Sequence, residues 1–323
     1  MLTEVMAHFG MVRDLRTAGY YETPHHRQLA KDLRTAIHLG RLVAFTGIVG
    51  SGKTLLLRQV ESELIGENKV TVSKSLSVDK DRATLPTLIA ALFYDLSPDK
   101  DPRIPTQGEK RERELRDLVR KGKKPVVLIV DEAHDLHSKT LTGLKRLREV
   151  VMDGGGMLSI VLAGHPKLRN DLRRPTMEEI GHRFTVLTFE GMAGHQRDYI
   201  LWLLRQCVAE DVDVASLIDE EAINLLAARL KTPLHIEQYL TLAFEETFRV
   251  GEKTVTTTVV ETVMSRQMDE LEPRLTRYGY DVKSLVEQFH AKPSEIRLFL
   301  QDQLDATRTR ELTEQMLTAG LPV

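Results

Sequence analysis

Gly47-Ile48-Val49-Gly50-Ser51-Gly52-Lys53-Thr54 fills every fixed position of the pattern G-x-x-x-x-G-K-[ST]. Glycine there lets backbone N–H groups turn inward around phosphate oxygens, where a Cβ would obstruct them. A helix beginning near Lys53 would point its positive end at the same anion. Lys53 is the residue that reaches the β- and γ-phosphates of a nucleoside triphosphate, and the Thr54 hydroxyl is the one that ligates Mg²⁺. Leu55 closes the segment expected to hold the nucleotide. The alternative is a glycine-rich turn with no ligand. Context argues against it: an apolar run, residues 42–46, precedes the turn and an amphipathic helical pattern follows.

Outward from that loop, residues 53–64 read as a helix with Leu55, Leu56, Val60 and Leu64 inward, and residues 69–73 as a second strand. Residues 85–96 form an apolar helix. Residues 109–121 form a charged amphipathic one with Leu115, Leu118 and Val119 inward. Val126-Val127-Leu128-Ile129-Val130 is a continuous aliphatic run, the mark of a strand buried on both faces. It delivers Asp131 and Glu132 to a strand tip, where open parallel sheets bind ligands. Asp131 would hold the Mg²⁺ shell and Glu132 would orient the attacking water. A strand that ends in a polar turn looks the same in isolation; downstream of a complete phosphate loop the pair reads as a Walker B motif.

Residues 140–152 are helical, and 157–163 and 184–189 read as two more strands. Short apolar strands alternating with helices mean a parallel sheet with helices on both faces, an α/β fold. The fourth strand ends at Ala163-Gly164-His165-Pro166, so His165 is a candidate sensor of the γ-phosphate or water. The alternative is a loop histidine with ordinary solvation, and His134 is ambiguous in the same way. Phosphoryl transfer needs a cation beside the leaving group, often an arginine from a neighbouring chain. Arg183, directly before the fifth strand, is the first choice, with Arg173 and Arg174 behind it; the bland alternative is solvent or an internal acid such as Glu178 or Glu179.

Beyond residue 191 helical periodicity takes over, in runs 196–208, 219–230, 234–250 and 256–271. Pro273 and Gly279 then break the chain. A last helical piece, 282–315, holds a helix-turn-helix rhythm, with a turn near 291–293 and Ser294 as the cap of the second helix. The expected divisions are a helical lead-in bordering the nucleotide at 1–40, with Leu29, Leu33, Ile37 and Leu39 at helical spacing, the α/β nucleotide-binding domain at 41–191, a helical lid at 192–271 and the tail at 272–323.

With 323 residues, more than one domain is expected. A formal net charge of −2 excludes binding to nucleic acid by bulk charge, so any DNA contact must be a local patch. The single cysteine, Cys207, excludes an internal disulfide and lies in an apolar helical run as buried filler. No apolar stretch approaches the roughly 20 residues of a membrane span. A cytoplasmic protein is expected.

At the quoted residues the chain resembles the AAA+ superfamily. More narrowly it resembles the ExeA/TniB/TnsC/MuB-like group of transposition-helper ATPases. The phrases that carry the likeness are LVAFTGIVGSGKTLLLRQV, VVLIVDEAHDL and LSIVLAGHPKLRNDL, with YYETPHHRQLAKDLRTAI ahead of them, over roughly residues 10–265. The resemblance implies an ATPase with ATP and Mg²⁺ as cofactors, slow and stimulated by DNA or a partner. It implies a homo-oligomer, ring or helical filament, on duplex DNA that recruits or activates a transposase, with hydrolysis ending the assembly. One departure matters. Such families often carry a lid arginine in a Gly-x-Pro-Arg phrase; here the text is Lys231-Thr232-Pro233-Leu234-His235, with leucine in that place.

A DNA-contacting patch is sought at Lys74, Lys80 and Arg82, after the second strand, where basic side chains would track phosphates without reading sequence. Acids such as Asp79 and Asp81 stand among them, so a solvated charged surface reads the same way. The competing functions are an ExeA-type secretion ATPase and a protein-remodelling AAA+ module that does not touch DNA.

Overall fold

A computed structural model describes residues 1–74, 84–99, 101–265, 271–301 and 303–323. The elements run α1 (Thr3–His8), α2 (Pro24–His38), β1 (Leu42–Thr46), α3 (Lys53–Glu67), β2 (Thr71–Lys74), α4 (Leu85–Leu96), α5 (Gly108–Gly122), β3 (Val126–Val130), α6 (Ser138–Asp153), β4 (Leu158–Gly164), α7 (Pro166–Leu172), α8 (Glu178–Gly181) and β5 (Phe184–Thr188). Helices α9 (Gln196–Cys207), α10 (Glu220–Arg229), α11 (Pro233–Arg249), α12 (Thr257–Ser265), α13 (Leu271–Arg277), α14 (Val282–Phe289), α15 (Pro293–Leu300) and α16 (Ala306–Thr318) follow. The chain divides into an α/β unit, His25–Gly47 with Lys53–Phe189, and a helical unit, Met1–Pro24 with Ile48–Gly52 and Glu190–Val323.

In the α/β unit the five strands make one all-parallel sheet in the order β2-β3-β4-β1-β5. Every residue of β1, β3 and β4 is buried, as a sheet covered on both faces requires. Side chains alternate between the faces. Val43, Phe45, Val127, Ile129 and Val161 pack with Leu29, Leu33 and Ile37 of α2 and Leu56, Val60 and Leu64 of α3. Leu42, Leu128 and Ile160 pack on the other face with α4, α5 and α6. Two expected core positions fall outside. Leu55 is 52% exposed, because Leu57 takes the inward angle on α3, and Leu39 lies past the end of α2, exposed.

In the helical unit, α1 and the segment after it share a core with α9–α12, through Val5, Phe9 and Leu15 against Leu203, Leu240 and Phe244. Cys207 is buried there, and burial pushes its thiol up to about 11. The tail has its own core around Leu275, Tyr280, Leu285, Ile296, Phe299, Leu312 and Met316. Two tail details differ from expectation. Pro273 does not break the chain: it sits in the first turn of α13, where its missing N–H costs no helical bond. Ser294 is not the cap of α15. That helix opens at Pro293, and the Glu295 carboxylate accepts the Lys292 N–H at 2.8 Å.

Candidate functional site

The order of the sheet places the tip of β4 between the tips of β1 and β3. The residues expected to carry the chemistry are therefore neighbours, although the chain separates them. At the end of β1 the Gly47 N–H donates to the Gly164 carbonyl at 3.1 Å, which ties the root of the phosphate loop to β4. The Lys53 ammonium, buried, donates to the Gly47 carbonyl at 2.8 Å. Burial pushes it below the ordinary lysine range, and the Glu132 and Asp131 carboxylates pull the other way. The Thr54 hydroxyl donates to Asp131 Oδ2 at 3.1 Å. The two residues expected at Mg²⁺ thus stand side by side across α3 and β3, and their hard oxygen donors fit that ion. Asp131 also accepts the Glu132 N–H at 2.9 Å.

The loop Ile48–Gly52 holds itself with a Ser51 N–H to Ile48 carbonyl bond of 3.3 Å. Within the helical unit its Gly50 carbonyl accepts the Leu234 N–H at 3.4 Å. Gly50 has φ +74, and a Cβ built on it would stand 2.6 Å from the Leu234 Cβ, so no other residue fits. The leucine that replaces the expected lid arginine is thus a packing partner of the loop. The Val49 N–H donates to the Arg277 carbonyl at 3.1 Å. Neither periodicity nor motif spacing marks Arg277, since nothing in the sequence links α13 to the loop. His235, next to that leucine, is pushed below the usual histidine range by burial and then by the Arg277 guanidinium. That disfavours the cationic form.

Glu132 carries φ +54, the left-handed region, uncommon for a residue with a Cβ and a mark of strain held by its surroundings. Its Oε2 lies 3.4 Å from His134 Nδ1 and 3.7 Å from His165 Nε2. The two imidazoles stack with centroids 3.7 Å apart. Three neighbours set this up. A Cβ on Gly164 would stand 3.0 Å from the His134 backbone nitrogen, so glycine lets the turn Ala133–Asp135 approach β4. Pro166 opens α7 at its first position. Lys167 donates to the His134 carbonyl at 3.2 Å. The phrase Gly-His-Pro-Lys is thus an anchor for the turn after Walker B.

Arg183 does not join this group in the chain itself: its guanidinium is half exposed and pairs with Glu149 at 2.9 Å. Of the acids expected as alternatives, Glu179 pairs with Lys145 and Glu178 stands beside His182. Arg174 pairs with Asp171 at 2.7 Å, and Arg173 is exposed. The Lys74 ammonium pairs with Glu61 at 3.0 Å; Lys80 and Arg82 lie outside the described residues.

Residues 37–172 match the model of the AAA domain family. Over that segment the chain is similar to an AAA domain. General secretion pathway protein A of Aeromonas hydrophila is 32% identical over 148 residues, 45% of this chain. The match spans 26% of that protein, about a quarter of its length. The ORC2 protein of Aeropyrum pernix, solved in ADPNP and ADP complexes, superposes with a TM-score of 0.57 at 13% identity, covering 96% of this chain and 91% of that one. Cdc6p of Pyrobaculum aerophilum gives 0.56 at 16%, with the same coverage. Aeropyrum pernix ORC1, solved in complex with DNA, gives 0.51 at 15%, over 95% of this chain and 88% of that one. At such identities the likeness is one of fold. Among the described residues no helix is long and apolar enough to cross a membrane.

Proposed function

We propose that this chain is an ATP-hydrolysing AAA+ protein that assembles on duplex DNA and recruits or activates a transposase. The observation that carries the ATPase reading is the Thr54–Asp131 hydrogen bond beside Lys53, at the point where β1 and β3 end. Lys53 and the amide-rich loop before it bind the triphosphate. Thr54 and Asp131 would hold Mg²⁺, which when bound neutralises charge that builds on the β- and γ-phosphates. Glu132 orients and polarises the attacking water, and His165 reports on the γ-phosphate end. Arg183 supplies a cation to the site of the neighbouring copy. Calorimetry with Mg²⁺ and ATP tests the first part. Wild-type protein is expected to bind, and Lys53→Ala to lose the binding. Glu132→Gln is expected to bind while turnover falls roughly 10²–10⁴-fold, the usual contribution of one positioned base. Unchanged affinity in Lys53→Ala would end the reading.

Binding to DNA and service to a transposase rest on the resemblance of the Asp131-Glu132-Ala133-His134 and Gly164-His165-Pro166-Lys167-Leu168 phrases to the transposition-helper group. The proposed DNA patch is Lys74, Lys80 and Arg82, with the Lys74–Glu61 pair opening to admit a phosphate. In ATP-dependent co-sedimentation, a Lys74→Glu, Arg82→Glu double variant is expected to stay in the supernatant. Pelleting like wild type would discard the patch. A second reading is favoured by the 32% identity to secretion protein A: an ATPase that acts on protein partners alone. Its signature is turnover and oligomerisation with no DNA pelleted by the wild type.

A further inference from the structure

The geometry points to a transition-metal site, filled by Zn²⁺, formed by Glu132, His134 and His165, whose occupation switches off hydrolysis while the nucleotide stays bound. Among the described residues this is the one group of three or more His, Cys, Asp or Glu side chains whose donor atoms all lie within 4.8 Å of one another. Two of its sides are known. His134 Nδ1 to Glu132 Oε2 is 3.4 Å and His165 Nε2 to Glu132 Oε2 is 3.7 Å. Tetrahedral zinc with bonds of about 2.0–2.1 Å needs donors separated by about 3.4 Å. The first side matches and the second is within a few tenths of an ångström. The third side, between the imidazole nitrogens, is within 4.8 Å, and metal binding would require a turn of the His165 side chain at the tip of β4 to close it.

The donor set chooses the ion. Two imidazoles and one carboxylate suit zinc and its late first-row neighbours, whereas Mg²⁺ keeps to oxygen ligands. The Thr54–Asp131 pair, all oxygen, is the magnesium position, so the two metals do not compete for the same atoms. The site is also held in place. His134 is buried, its carbonyl is fixed by Lys167, and Gly164 brings it against β4. Glu132 is held in a left-handed backbone conformation that turns its carboxylate to the imidazoles. Ligands fixed by such a supporting shell bind metal more tightly than loose ones. Three protein ligands leave a fourth position open for water or a phosphate oxygen.

The consequence for turnover rests on the ATPase reading given above. A Glu132 carboxylate whose lone pair is donated to Zn²⁺ cannot accept a proton from the attacking water. Lys53, Thr54 and Asp131 are untouched, so ATP affinity is kept and only hydrolysis stops. An assembly that dissolves on hydrolysis would then be locked in its nucleotide-bound form.

The test uses the full, tag-free chain stripped of metal, with no nucleotide. Co²⁺ titration followed by visible absorption, and Zn²⁺ titration by calorimetry, are expected to show one equivalent per chain, with the strong bands of four-coordinate cobalt. His165→Ala and Glu132→Gln are each expected to weaken binding more than about tenfold, the loss that even an outer-shell partner causes. Glu132→Gln keeps the side-chain shape, so it answers the question if His165→Ala fails to fold. No stoichiometric binding, or binding undiminished in both variants, overturns the site. With excess Mg²⁺ and ATP, added Zn²⁺ is expected to stop phosphate release without weakening ATP binding, and a chelator to restore it; zinc binding without inhibition overturns the switch. ATP binding intact with no Zn²⁺ binding rejects this proposal alone. Zn²⁺ binding intact with no ATP binding rejects the ATPase reading and leaves the metal site standing.

Discussion

Gly164 is the residue on which the site's geometry turns. Its carbonyl receives the Gly47 N–H, and its missing Cβ leaves 3.0 Å to the His134 nitrogen. Alanine there makes the turn Ala133–Asp135 give by a few tenths of an ångström, and Glu132 just before it with it. Displacements of about 1 Å at reacting groups can cost a hundredfold in rate. A shift of a few tenths costs less, so Gly164→Ala is expected to lower ATP turnover by up to roughly tenfold while Mg²⁺-ATP affinity stays near wild type, read by phosphate release beside calorimetry. Equal turnover would show that the approach does not position Glu132. The case also shows which site residues were legible. Lys53, Thr54 and Asp131 sit in motifs whose spacing is itself the chemistry. The stacking of His134 on His165 and the hold of Lys167 on the His134 carbonyl depend on β3 and β4 being sheet neighbours, and no local pattern encodes that adjacency. Leu234 shows the opposite limit. Its mismatch with the family phrase was visible, but its packing under Gly50 was not.

Elements were legible wherever composition and period agreed. The aliphatic run of β3 and the amphipathic stripe of α5 stand where the pattern puts them, because both-face burial and one-face burial leave different signatures. Strand order was not legible: five short apolar runs pair in many ways, and the order β2-β3-β4-β1-β5 is set by long-range pairing that no local pattern encodes. The ends of elements shifted where a single residue tipped the balance, as at Leu39 and Pro273. Two glycines test the helices directly. Gly181, ending α8, has the Leu172 carbonyl oxygen 2.1 Å from where a Cβ would sit, and backbone cannot step aside as a flexible side chain can. Gly66, in the last turn of α3, meets nothing within 4 Å. Gly181→Ala is expected to destabilise by about 1–3 kcal/mol through overpacking. Gly66→Ala is expected to stabilise by about 0.4–1 kcal/mol by narrowing the unfolded chain's freedom. Thermal melts of both, on one preparation, decide it. A melting temperature that rises in both would show that helix propensity, not the α7–α8 contact, dominates.

At the scale of the whole molecule the question is whether one chain can hydrolyse ATP unaided. The chain gathers Glu132, the candidate base, with Lys53 and the Thr54 and Asp131 oxygens proposed for Mg²⁺ on one sheet edge, but Arg183 is bound to Glu149. A cation held by a cis acid is available to a neighbour at small cost, since an exposed ion pair contributes only about 0–1 kcal/mol. A head-to-tail assembly would give each site one chain's Lys53 and the next chain's Arg183. Two variants separate this from catalysis within a chain. Lys53→Ala alone should not bind ATP. Arg183→Ala alone should bind ATP but lose roughly 10³-fold or more in turnover, the scale of a missing arginine finger. Mixed in equal amounts, they place an Arg183→Ala chain, with its intact Lys53, beside a Lys53→Ala chain, with its intact Arg183, at about a quarter of randomly formed interfaces. Activity should reappear in the mixture at a comparable fraction of the wild-type rate and disappear on dilution below the assembly concentration. If each variant is inactive and the mixture is too, while both still co-assemble by light scattering, Arg183 does not act across an interface. The arginine would then be a structural partner of Glu149, and the cation that completes the site would have to come from elsewhere.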